Sequence, residues 1–165
     1  MEMTRSSLPN QVKVVGWLSV FIGSTGSIGG VTILLAYPDR ATVPDVTGTS
    51  TMLIVHAILG VPLLVCSIGL LNGCTWGRIG VLSCYVGMFL DALVWSVQDW
   101  VIYLTTAVPD GAPMRLWPHP VPMMHVLTLA AMNAYVFPNL LNRQAREAFA
   151  RRADWRASLP NRPPF

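Results

Sequence analysis

Four long apolar runs dominate this sequence: Val14–Tyr37, Thr51–Leu71, Ile79–Tyr103 and Val121–Leu141. Each has about 20 residues or more, which at ~1.5 Å rise per residue spans the roughly 30 Å hydrocarbon core of a bilayer. Backbone N–H and C=O groups cannot go unpaired in lipid, so runs of this length must be helices. A transmembrane β-barrel would show short segments alternating with period two, and the sequence has none. Composition agrees: 53% of the 165 residues are hydrophobic and 12% charged, against roughly 25% charged in soluble domains. The length suits one compact unit rather than two domains. The expected fold class is therefore all-α, an integral membrane four-helix bundle.

Orientation follows from the basic residues. Arg5 and Lys13 precede the first run, Arg78 lies between the second and third, and Arg143, Arg146, Arg151, Arg152, Arg156 and Arg162 follow the fourth. Arg40 and Arg115 alone lie in the other two loops, which also carry Asp39, Asp45 and Asp110. This pattern predicts N- and C-termini on the cytoplasmic side, in the endoplasmic reticulum or a bacterial inner membrane. The net charge of +3 then reflects topology, not nucleic-acid binding. The first run is too long for a cleaved signal peptide. The stretch 143–156 reads either as a basic amphipathic helix on the membrane surface, with Phe149 and Trp155 as interfacial anchors, or as a solvated basic tail. Residues 159–165 are expected to be disordered.

Several chemistries are absent at the level of motif. The cysteines Cys66, Cys74 and Cys84 form no Cys-x-x-Cys pair, and the chain has no phosphate loop, zinc-protease or nucleophile-elbow pattern. Ser19, Gly23, Gly26, Ser27 and Gly30 give the first run a face of small residues. Such a face allows close helix approach, either to the chain's own helices or in a homodimer or larger membrane complex. Pro62 and Pro138 are expected to bend the second and fourth helices.

Ionisable residues inside the runs are the functional signal, because each is costly in lipid unless it is buried among partners or wetted. His56, Asp99 and His125 are each placed near the outer end of a different helix, with Asp91 two turns deeper than Asp99. At 100° per residue, Asp91, Trp95, Gln98 and Asp99 share one face about 100° wide. That stripe is expected to look into the bundle, toward a site walled by Trp95, Trp100, Tyr103 and Trp117, with Asn133 as a further polar contact.

Carboxyl and imidazole groups in a low-dielectric site suit proton transfer. Asp91 and Asp99, partnered by His56 and His125, would serve a cofactor-independent isomerisation, epoxide opening or cyclisation of a terpenoid, sterol or polyketide. Two other readings stay open: a structural cluster in a non-catalytic subunit or assembly factor, and a b-type haem held by His56 and His125.

His56 six residues before Pro62, then Leu70-Leu71-Asn72-Gly73-Cys74-Thr75-Trp76-Gly77-Arg78, and later Asn133-Ala134-Tyr135-Val136-Phe137-Pro138, resemble the emopamil-binding, sigma-2-receptor type of membrane protein. The resemblance covers about half the chain. It implies four helices around a lipophilic cavity, with sterol isomerase activity in some members. Where that family carries a glutamate on the second helix this chain has His56, which separates it from sterol isomerisation itself.

Overall fold

The computed structural model describes residues 7–36, 47–105 and 120–158. Within its helices, the side chains at 30, 33, 34, 36, 47–57, 102, 103 and 120–122 fall outside that description. The described residues form five helices and no strand: α1 Asn10–Ala36, α2 Thr47–Leu71, α3 Thr75–Thr105, α4 Pro120–Leu141 and α5 Arg143–Ala157. Each long helix runs past its apolar run at one or both ends, since backbone hydrogen bonding continues where the chain meets the interface. Three of them, α1, α3 and α4, are long and apolar enough to cross a membrane. In α2, 25 residues long, the described apolar piece is Ile58–Leu71. The expected disordered tail 159–165 and Trp117 lie outside the described residues.

α2 and α3 are joined by a turn of three residues. Gly73 takes φ +74°, Cys74 N–H donates to Gly69 O and Gly73 N–H to Leu70 O, each at 2.8 Å. This left-handed glycine cap satisfies the last α2 carbonyls and reverses the chain at once. Consecutive helices therefore pack antiparallel, α1 along α2, α2 along α3 and α3 along α4, while α1 meets α4 at only a few positions.

Small residues set the α1–α2 spacing. A Cβ added at Gly23 would stand 2.9 Å from Gly60 O and 2.9 Å from Leu64 N, and one added at Gly60 would stand 2.8 Å from Ser27 Oγ. Gly23 and Ser27, part of the small-residue face, thus turn to α2 of the same chain.

The core is confined to one end of the bundle. Leu8 just before α1, Val12, Val15 and Ser19 of α1, and Leu63, Ser67 and Leu70 of α2 are fully buried there. So are Val81, Tyr85, Met88 and Ala92 of α3 and Leu129, Val136 and Leu140 of α4. Among the described residues, none past Gly23 on α1, past Ala92 on α3 or before Leu129 on α4 is fully buried.

α5 closes the packed end. Asn142 caps it by accepting from Ala145 N–H at 2.7 Å, and Ala145, Ala148 and Phe149 are buried. Arg156 donates to Asn72 O, to Gly73 O at 3.4 Å and to Cys74 Sγ at 3.2 Å, so its guanidinium covers the negative C-terminal end of α2. Arg152 lies against Gly73, in the space a Cβ would fill. Phe149 is not the interfacial anchor expected from sequence. It is 2% exposed and packs under the Arg78 guanidinium, 5.5 Å from the ring centroid, because α5 folds back on the bundle. The outward face keeps exposed Arg143, Glu147 and Arg151, paired at 2.6 and 3.7 Å, which contributes little to stability. Every Lys and Arg among the described residues lies at this end of the bundle.

Candidate functional site

α3 buries one stripe, Val81, Tyr85, Met88 and Ala92, spaced three or four residues apart against its neighbours. Continued toward the open end, this stripe reaches Asp99, Trp95 and, at its margin, Asp91. All three are half-buried, and Asp91 Oδ2 is fully shielded. Gln98 departs from the expectation that it looks inward, for it is exposed. It falls about 120° around the helix from Ala92, outside the arc that α3 packs.

On α4 the buried face is Leu129, Val136 and Leu140, and His125 and Asn133 stand on the same face. The two helices meet there. The Trp95 and His125 rings lie 6.4 Å apart at 70°, an edge-on contact. Two turns deeper, Asn133 Nδ2 donates to Leu129 O at 2.7 Å and reaches Tyr85 O at 3.5 Å. These contacts fix the register of α3 on α4. His125 is level with Trp95, one turn from Asp91 on one side and from Asp99 on the other, about 6 Å along the axis in each direction.

Leu59 beside Gly87, with Cys66 beside Gly80, fixes the register of α2 on α3. Continued by one turn, it brings His56 level with about Leu90 and Asp91. His56, His125 and Asp99, each expected near the outer end of its helix, are thus staggered along the bundle: Asp99 outermost, then His125 beside Trp95, then His56 level with Asp91. The His56 and Tyr103 side chains lie outside the described residues, and Trp117 wholly so. Trp100 is 37% exposed, at the margin of the arc that α3 packs, so it borders the site.

The floor of the site is the part that sequence reasoning missed. Tyr85 and Ser19 are both fully buried, with Tyr85 Oη 3.2 Å from Ser19 Oγ. Ser19 gives its one proton to Val15 O at 2.8 Å, so the phenol is the donor of the pair. With Asn133 on the Tyr85 carbonyl, this string ties α1, α3 and α4 together just below Asp91. Tyr85 shares a helical spacing with Val81, Met88 and Ala92, but the exposed Val86, Leu90 and Val94 do so too, so the sequence held no signal that singles it out.

Cys66, beside Gly80 at the α2–α3 contact, and the buried Cys84 are both free thiols. Among the described residues no group of three or more His, Cys, Asp or Glu could hold a metal ion. No family model matches the sequence, and no curated protein or solved structure matches it either.

Two carboxyls and an imidazole, spaced by single turns beside an indole, offer proton donors and acceptors along one wall. A hydrophobic floor of Met88, Ala92 and Leu129 excludes water from below. Such a wall can protonate a molecule at one atom and deprotonate it at another.

Proposed function

We propose that this chain is a small integral membrane enzyme performing acid–base chemistry on a lipophilic small molecule such as a terpenoid, sterol or polyketide. The reaction is an isomerisation, a cyclisation or an epoxide opening. The observation that carries the proposal is the edge-on contact of Trp95 with His125, 6.4 Å between centroids, with carboxyls one turn to either side.

In this reading α2 is the fourth span of a four-helix bundle. Both termini face the cytoplasm, because the basic residues gather with α5 and the α2–α3 turn at one end. The open end, with the ionisable groups, then faces away from the cytoplasm. The membrane is that of the endoplasmic reticulum or a bacterial cell. The resemblance to the emopamil-binding family supports a lipophilic cavity between the helices. His56 in place of that family's glutamate favours a reaction other than sterol isomerisation.

Asp91 or Asp99 serves as the general acid toward a double bond or epoxide oxygen of the bound molecule. The Trp95 face steadies positive charge as it develops. His125, or His56, removes a proton from the neighbouring carbon or, for an epoxide, from the water molecule that attacks the ring carbon as the protonated C–O bond breaks. These steps need no metal and no nucleotide.

The test is mass spectrometry of whatever lipophilic molecule accompanies the detergent-purified protein, followed by turnover of that molecule. His125→Ala and Asp99→Asn should each lower turnover by about 10²-fold or more, the scale of a lost general acid or base. Unchanged turnover in folded variants rejects the assignment.

A further inference from the structure

We propose that the seam between α1 and α4, at Gly29, is the portal through which a hydrocarbon chain passes from the bilayer into the α3–α4 site. This rests on the reading of that site as the place where a lipophilic molecule is held.

On its other side α1 is tightly packed. Gly16, Gly23 and Ser27 all meet α2, and a Cβ at Gly16 or Gly23 would run into Leu71 or the Gly60 carbonyl. At 100° per residue Gly29 points about 140° away from that line. It is half-buried, yet a Cβ added there meets nothing within 4 Å. Open space therefore lies beside Gly29, whereas Gly16 and Gly23 lie against α2. α1 packs along α2 but touches α4 at only a few positions, so the seam on this side is not sealed by helix contact.

The level of Gly29 connects that space with the site. Gly23 and Ser27 sit opposite Gly60, and Leu59 sits beside Gly87. Carrying these registers across puts Gly29 level with about Met88, within one turn of Asp91. Gly29 also lies beyond Gly23, past which no described residue of α1 is fully buried.

The rim chooses the occupant. Thr25 and Thr32, exposed and one turn to either side of Gly29, both turn their hydroxyls onto their own helix. Thr25 Oγ1 donates to Phe21 O at 2.9 Å and Thr32 Oγ1 to Ile28 O at 2.8 Å. Their methyl groups are left facing outward. The rim is then continuous with the lipid-facing belt of α1, where Ile28 and Val31 are 68% and 51% exposed. A surface of methyl groups and a bare glycine passes a hydrocarbon chain and gives a polar head nothing to bind.

The experiment uses the full chain in lipid nanodiscs with a diazirine-bearing long-chain alcohol as probe, with photolabelled residues mapped by mass spectrometry. Wild type should be labelled inside, at Trp95 and His125, as well as on the belt at Ile28 and Val31. Gly29→Phe fills the open space and should cut interior labelling several-fold while belt labelling stays constant. Gly29→Ala should behave as wild type. Belt labelling reports insertion, and Gly29→Leu serves if the Phe variant fails to insert. Interior labelling that is absent from wild type, or unchanged in the inserted Phe or Leu variant, overturns the portal. Labelling needs no catalysis, so an inert protein with a labelled interior keeps the portal while the enzyme reading fails.

Discussion

Tyr85 on α3 donates its hydroxyl to Ser19 Oγ on α1 across 3.2 Å, and Ser19 passes its own proton to Val15 O at 2.8 Å. Both side chains are fully buried, and the pair lies within the packed half of the bundle, below the groups Asp91, Asp99 and His125. The order of donation makes the two deletions unequal. Tyr85→Phe leaves Ser19 bonded to Val15 and should cost about 0.5–1.5 kcal/mol, the net worth of one hydrogen bond. Ser19→Ala strands a buried phenol and should cost more, about 1–3 kcal/mol. Thermal unfolding in detergent checks the ranking, and equal losses count against this donor assignment.

The glycines of α1 are predicted to differ sharply. Gly23→Ala places a methyl 2.9 Å from Gly60 O and should force α1 and α2 apart, at a cost of about 1–3 kcal/mol. Gly29→Ala meets nothing and should leave the unfolding temperature unchanged or slightly raised, since alanine favours helix by about 1 kcal/mol over glycine. A single series of melting curves on both variants decides it.

α5 should behave as part of the fold rather than as a loose tail. Phe149→Ala empties a fully buried site and should cost about 3–5 kcal/mol. Arg156→Ala removes the guanidinium from the Asn72 and Gly73 carbonyls and should speed hydrogen exchange in both α5 and the α2–α3 turn. Faster exchange in α5 alone would mean that the guanidinium does not hold the turn.

Topology is readable through Cys74, the half-exposed thiol in the α2–α3 turn. In sealed vesicles a membrane-impermeant maleimide should modify Cys74 only from the cytoplasmic side and should leave Cys66 and Cys84 untouched. Modification from the opposite side reverses the proposed orientation.

The helices themselves are legible in the sequence, because run length and backbone hydrogen bonding in lipid leave no alternative. Helix rotation is not. In water an apolar stripe points to the core, but in a bilayer the lipid-facing surface is apolar too. Tyr85, Met88 and Ala92, which face the core, therefore look no different from Val86, Leu90 and Val94, which face outward. The expectation that Gln98 belongs to the inward stripe fails for that reason, since the packed arc is centred elsewhere. Phe149 is ambiguous in sequence for a related reason. An aromatic among arginines serves equally to sit in an interface or to dock on a bundle, and only the fold-back of α5 under Arg78 separates the two. The contact between Trp95 and His125 joins residues 30 positions apart through a connection no motif marks.

The central claim is that the open half of the bundle performs proton transfer on a lipophilic molecule. Its most direct test works before the substrate is identified. The purified protein is incubated with a total lipid extract in deuterium oxide enriched in oxygen-18, and the lipids are surveyed for new isotope. Wild type is predicted to introduce deuterium at carbon, or oxygen-18 for an epoxide, into one lipid class. His125→Ala and Asp99→Asn are predicted to abolish it. Incorporation that survives both substitutions, or no incorporation by folded wild-type protein, contradicts the account.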